Sequence, residues 1–359
     1  MEAYITTTGM YLPGSPRSNE EISNYMGTLE HEHDVRRKVL RANGIKYRHY
    51  ALDTNQECTS DVYSMGARAA LDCLRGSEEE RVIPTFLGAG TTLAPETGPG
   101  IASRIHEKLS TLYDGLGGLE ICSNSGICSA SAQSLLNAIR AVKSGEHEAA
   151  LSIGSEHASK ILRSTFIRPP NDYCPGKALN KTRWFMSVFL RSMLSDGAGA
   201  FLVEGKPRHS GVSLKIDWMH SESFAHETER CMWLEAETLS LYQNVEVLAK
   251  YMKPCVEKFV QNGLARNAEK MGNFKWVLPH LSSFYFKRHL LGVLDGEDTQ
   301  YWTNLETAGN TGAASIYIML HAFLQEHSDT LCTGERILLF IPESGHFNFV
   351  MIAATVIKL

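Results

Sequence analysis

Residues 123–133 read SNSGICSASAQ. A single cysteine, Cys128, stands among Gly126, Ser129, Ala130 and Ser131, and small residues of this kind let a second backbone or a ligand approach closely. The chain then continues with Ala132, Leu135, Leu136, Ile139 and Val142 at helical spacing, and Gly145 falls where a helix C-cap is expected. The spacing predicts a buried helix over 129–144 with Cys128 at its N-terminal end. The stretch AGNTGAAS (308–315) has the same design: it is small and polar, and it leads into an apolar helix through Ile316, Ile318, Met319, Ala322 and Phe323. Two such entries, one in each half of the chain, predict a duplicated architecture.

Working outward, short apolar runs alternate with helical patterns, which argues for an α/β fold. AYITTTG (3–9), TFLGAG (85–90), AALSIG (149–154), AGAFLVE (198–204), KWVLP (275–279), ILLFIP (337–342) and FVMIAATVI (349–357) are the strand candidates. Several end in Gly or Pro, which stop strands. RPPNDYCPGKALNK (168–181) is the best boundary or insertion, so the halves are expected at 1–180 and 181–359.

The 359 residues, 43% hydrophobic and 21% charged, suit a large globular enzyme built as one big domain or two closely packed halves. A formal charge of −5 without a basic run speaks against nucleic acid and against a membrane surface as partners. Eight scattered cysteines without a C-x-x-C pair fit reduced thiols in a cytoplasm. No basic leader opens the sequence, and no apolar stretch approaches the roughly 18 to 20 residues of a membrane span, so a soluble cytoplasmic protein is expected.

Chemistry would want Cys128 at a helix start because unpaired N–H groups and the helix dipole stabilise a thiolate and a developing oxyanion. Read from the residues alone, a free thiol in such a setting is more often an inert, packed core side chain. A nucleophilic thiol also needs a base or hydrogen-bonding partner. Of the 14 histidines, His280 in WVLPHLSSF leads, since it follows an apolar strand and a proline; His157 and His346 rank behind it. Asn310 would supply an uncharged donor at the second helix entry, or simply cap it.

Cys128, His280 and Asn310, in that order and setting, resemble the Cys, His, Asn triad of the beta-ketoacyl-acyl carrier protein synthase III family. The resemblance runs nearly end to end, through TGMYLPGSPRSNEEI (8–22), RANGIKYR (41–48), SGEHEAALSIGSE (144–156), SDGAGAFLVE (195–204) and SGHFNFVMIAATV (344–356). It implies the thiolase fold, a duplicated five-layer αβαβα arrangement, as a homodimer. It further implies that Cys128 takes an acyl group from a carrier-protein or coenzyme A thioester, with the N–H groups of Cys128 and Gly345 as oxyanion hole. His280 and Asn310 would then stabilise the enolate of the second substrate, which attacks the acyl-Cys in a Claisen condensation. No metal and no resident cofactor are implied.

The departures bear on the substrate. Leu281, Ser282 and Ser283 follow His280 where the family has Gln-Ala-Asn, and Arg37 stands where a Trp stacks on the adenine of coenzyme A. A cation there suits a phosphopantetheine arm or an acidic carrier protein better. Glu343, Ser344 and Phe349 replace family glycines. LPHLSSFYF and RWFMSVFLRSMLSDGAGA resemble the divergent branch that joins two acyl chains and closes a ring, giving cyclohexanediones or dialkylresorcinols. Glu156 is then an extra candidate base, Ser283, Lys287 and Arg288 candidate contacts to substrate or carrier, and Trp184, Phe185 and Phe189 either the wall of an acyl tunnel or a core helix face. A fatty-acid-initiating synthase, an acyltransferase to oxygen or nitrogen, and a non-catalytic acyl-binding partner subunit are the competing readings.

Overall fold

The computed structural model describes every residue except 31, 77–81, 168–182, 236, 238, 288–289 and 291, together with the side chains of residues 183, 184 and 286. Ten strands form its main sheet: β1 (Tyr4–Tyr11), β2 (Phe86–Thr91), β3 (Glu120–Ser125), β4 (Ala149–Glu156), β5 (Gly197–Glu204), β6 (Val212–Ser223), β7 (Trp276–Pro279), β8 (Gln300–Tyr301), β9 (Arg336–Ile341) and β10 (Asn348–Lys358). The helices that matter for the site are α1 (His33–Asn43), α2 (Val62–Arg75), α3 (Ile101–Ser110), α4 (Ala130–Ser144), α5 (Arg183–Arg191), α6 (Val245–Arg266) and α7 (Ser315–His327).

The duplication is written in the strand order. From the middle of the sheet outward, the first half runs β1-β5-β4-β2-β3 and the second β6-β10-β9-β7-β8, the same permutation. The senses match as well: the inner pairs β1/β5, β5/β4, β6/β10 and β10/β9 are antiparallel, while β4/β2, β2/β3, β9/β7 and β7/β8 are parallel. The halves join through the short antiparallel pairing of β1 with β6. The repeat turns over in residues 205–211, later than the division expected at 180, because β5 pairs between β1 and β4 and completes the first half. The insertion expected at 168–181 lies outside the described residues.

Side-chain alternation turns this sheet into layers. Leu87, Ala89, Leu151, Ile153, Ala198, Ala200 and Leu202 pack outward with α2 and α3, whereas Phe86, Ala150, Phe201 and Val203 pack inward with α4 and α7. In the second half Ile337, Leu339, Ile341, Val350 and Ile352 face the same two central helices, and Leu338, Phe340, Phe349 and Met351 face α6 on the far side. Helices, half-sheet, central helices, half-sheet and helices make the five αβαβα layers of the thiolase fold. Glycine permits the tight middle layer: a Cβ on Gly154 would stand 2.8 Å from the Ala313 carbonyl and 3.0 Å from Ser131 Oγ. Tyr317 of α7 closes the contact, donating to the Ser131 carbonyl at 2.8 Å and sharing a hydrogen bond with Ser152 at 2.7 Å.

Candidate active site

The repeat brings the two small-residue entries together. Cys128 lies in the turn between β3 and α4, and Asn310 lies at the matching place between β8 and α7. Ser131 Oγ donates to the Ala313 carbonyl across the gap, so the two helix starts meet at the middle of the molecule. His280 follows β7 directly, its N–H held by the Phe340 carbonyl at 2.8 Å as a continuation of the parallel ladder.

Two cavities share Cys128. The first is lined by Glu156 and Asn310 on its polar side and by Leu93, Ile161, Phe189 and Met193 among its apolar residues. The second takes His280, Leu248, Met252, Leu281 and Leu290 into its wall. Gln243, Ser282 and Ser344 border both. From α5, Phe189 and Leu190 line the first cavity, whereas Phe185, which stacks on Phe189 with ring centroids 6.1 Å apart, is not among its lining residues. The Trp184 side chain lies outside the described residues.

Each polar group has a defined state. Asn310 Oδ1 accepts from the Gly312 N–H at 3.0 Å, which fixes the amide orientation and leaves its NH2 as the end that can donate. His280 is 4% exposed, its Nδ1 has no partner, and burial lowers its pKa from the usual 6.5 to about 4. It is therefore a neutral imidazole at neutral pH. Burial also lifts Glu156 to about 6, against the N–H groups of Thr92 at 3.3 Å and Ala313 at 3.2 Å, which hold its carboxylate.

The nucleophile differs from the sequence expectation. Cys128 precedes the first helical residue, Ala130, by two positions, and it is held well above the ordinary thiol range, first by burial and then by the charges of Glu343 and Glu156. Desolvation and the two neighbouring carboxylates favour the thiol over the thiolate.

The remaining expected residues lie further out. Gly345 lines neither cavity; it packs against Ile127, where a Cβ would stand 2.8 Å from Cγ1, and its N–H faces the Glu343 carboxylate. Arg37 is exposed on α1 and paired with Asp34 at 3.3 Å. Ser283 is buried and caps the short turn 284–286, accepting from the Tyr285 N–H at 3.1 Å. Lys287 is exposed over the Phe284 ring, and Arg288 lies outside the described residues. His157 sits 3.9 Å from Asp196, and His346 bonds the Thr228 carbonyl at 3.1 Å. Sequence reasoning missed Glu343, Ser344 and Gln243 as site residues; the departure from glycine at 343 and 344 was the available signal. Among the described residues no group of three His, Cys, Asp or Glu side chains is placed to hold a metal ion, and no helix is long and apolar enough to cross a membrane.

No family model matches the chain. Its sequence is 23% identical over 341 residues to the beta-ketoacyl-[acyl-carrier-protein] synthase III of Acholeplasma laidlawii, covering 93% of each chain. Its structure is similar to 3-oxoacyl-(acyl carrier protein) synthase III from Pseudomonas aeruginosa, with a TM-score of 0.75, 18% identity and coverage of 99% and 98%. It is likewise similar to OleA from Xanthomonas campestris, with a TM-score of 0.78, 16% identity and coverage of 99% and 98%.

Proposed function

We propose that this chain, a ketosynthase III-like member of the thiolase superfamily, joins two apolar acyl chains by a Claisen-type condensation on Cys128. The class is that of a carbon-carbon-bond-forming acyltransferase. The observation that carries the finer reading is the pair of apolar cavities meeting at one cysteine. An enzyme that lengthens an acyl group by a two-carbon unit needs one such room, whereas joining two chains needs two.

The chemistry follows from the groups in place. Cys128 Sγ attacks a thioester of a phosphopantetheine carrier or coenzyme A; the new S–C bond replaces the old one, and the thiol proton leaves with the departing thiol. The second substrate, a beta-ketoacyl thioester, loses a proton from its activated carbon, with Glu156 as the candidate base. The Asn310 NH2 and the neutral His280 imidazole offer hydrogen bonds to the enolate oxygen without a charge that would have to be neutralised. The enolate carbon attacks the acyl-Cys, a C–C bond forms, the S–C bond breaks, and Cys128 recovers a proton. A second C–C bond then closes a six-membered cyclohexanedione ring, a dialkylresorcinol precursor: the γ-carbon of the beta-ketoacyl unit adds to the β-carbon of an α,β-unsaturated acyl group, the γ-proton passes to the acyl α-carbon, and the second thioester stays intact. Asn310 favours condensation over transfer to oxygen or nitrogen, for which no enolate has to be held. An acyl carrier protein is the proposed donor and a homodimer the proposed assembly.

The test is incubation with an acyl thioester plus a beta-ketoacyl thioester, with free thiol counted and products weighed by mass spectrometry. One thiol released per product, whose mass contains both carbon chains, is the expected result. A beta-ketoacyl thioester longer by two carbons, formed only with malonyl donors, would replace this reading with the chain-initiating one.

A further inference from the structure

Gln243, Ser282 and Ser344 border both cavities together with Cys128, and the proposed chemistry leaves all three without a task. Gln243 is the last residue of a short hairpin whose strands, 232–234 and 241–243, pair with Gln243 opposite Met232. Asn244 follows and caps α6: its Oδ1 accepts from the N–H groups of Glu246 at 3.0 Å and Val247 at 3.2 Å, and its own N–H donates to the Cys231 carbonyl at 2.7 Å. The backbone at 243 is therefore fixed on both sides. Gln243 Nε2 donates to Ser344 Oγ at 3.3 Å, and the Ser344 hydroxyl turns its proton to the Met232 sulfur at 3.6 Å. One amide hydrogen is thus committed, which sets the plane of the carboxamide, and the second has no partner among the described residues.

A beta-ketoacyl thioester differs from a plain acyl thioester by one ketone oxygen, two carbons beyond the thioester carbonyl. Its enolate spreads the charge over both oxygens, and Asn310 and His280 serve the thioester oxygen alone. Between walls that include Leu93, Phe189, Leu248 and Leu290, a ketone buried without a donor would oppose binding. We infer that Gln243 is the specificity-determining residue for the beta-ketoacyl substrate: its uncommitted amide hydrogen donates to the ketone oxygen, and Ser344 is the positioning residue that aims it. The hydrogen bond strengthens as the enolate forms, because charge grows on the ketone oxygen. A second substrate without the ketone leaves the donor unpaired in the closed site, so the site discriminates against it.

This role rests on the beta-ketoacyl substrate proposed above, but its test measures binding alone, so the two readings fail separately: a lack of condensed product would sink the reaction and leave a binding preference standing. The probes are two acyl pantetheine amides of equal acyl length, in which nitrogen replaces the thioester sulfur, one with a 3-oxo group and one without. Their affinities for the full chain are measured by isothermal titration calorimetry. The 3-oxo amide should bind about tenfold more tightly than the plain amide, and in Gln243→Leu, which keeps the bulk and loses the donor, the ratio should fall to about one. The ratio is the readout because a merely structural change lowers both affinities together and leaves it unmoved. Ser344→Ala releases the carboxamide and should also lower the ratio; it serves in place of Gln243→Leu should that variant not fold. Equal affinities in the unaltered chain, binding of neither amide included, overturn the inference, as does an unchanged ratio in either folded variant. Loss of the ratio in Ser282→Ala with Gln243 in place would give the ketone contact to that hydroxyl and overturn it as well.

Discussion

His280 makes the pH response of folding a direct measure of how dry the site is. Its folded pKa of about 4 lies below the ordinary 6.5 because burial penalises the imidazolium. On acidification the unfolded chain binds the proton first, so stability is intact above pH 6.5 and falls as the pH drops towards 4. With those two values, the linkage relation gives a loss of about 2 kcal/mol by pH 5 relative to pH 7 from this one side chain. Other groups titrate in the same range, so the quantity to measure is a difference of differences. Urea denaturation followed by tryptophan fluorescence at pH 7 and pH 5, on the unaltered protein and on His280→Asn, isolates it. The unaltered protein should lose about 2 kcal/mol more than the variant over that interval. An equal loss in both would mean that His280 takes up a proton in the folded protein near its ordinary pH. It would then be an imidazolium in mildly acidic solution, and the neutral-donor role would be wrong.

Two other changes probe separate parts of the account. Asn310→Asp replaces the NH2 donor with a carboxylate facing a developing enolate; acyl loading of Cys128 should persist while product formation falls by about 100-fold or more, read by single-turnover mass spectrometry. Gly154→Ala places a methyl 2.8 Å from the Ala313 carbonyl and should cost about 1–3 kcal/mol, measurable as a lower urea midpoint.

The architecture was legible where strands are buried on both faces. The seven apolar runs read from the sequence coincide with β1, β2, β4, β5, β7, β9 and β10. The strands that escaped are of another kind. β3 lies at the sheet edge with alternate residues in water, and its sequence EICSNS has no apolar run. In β6 the charges of Lys215 and Asp217 interrupt the apolar pattern: Lys215 pairs with Glu2, and Asp217 pairs with Arg336 at 3.1 Å. β8 has only two residues.

The site divides in the same way. Cys128 and Asn310 stand out because small residues at a helix entry are a local signal, and the duplication explains why two distant entries meet. The state of the sulfur is not local. It depends on burial and on two carboxylates, one of them 215 positions away in the chain at Glu343, which a helix start alone does not reveal. Gln243 and Ser344 join the cavities only because the hairpin 232–243 and the 342–346 loop pack together, with the Cys231 and Met232 N–H groups on the Gly345 carbonyl at 2.9 and 3.1 Å.

The central claim is that Cys128 carries the acyl group. Intact-protein mass spectrometry after incubation with a panel of acyl thioesters of increasing chain length, on the unaltered protein and on Cys128→Ala, tests it most directly. One acyl mass added to the unaltered protein and none to the variant is the predicted result. A folded protein that takes up no acyl group from any donor, or takes it up equally without Cys128, would contradict the account.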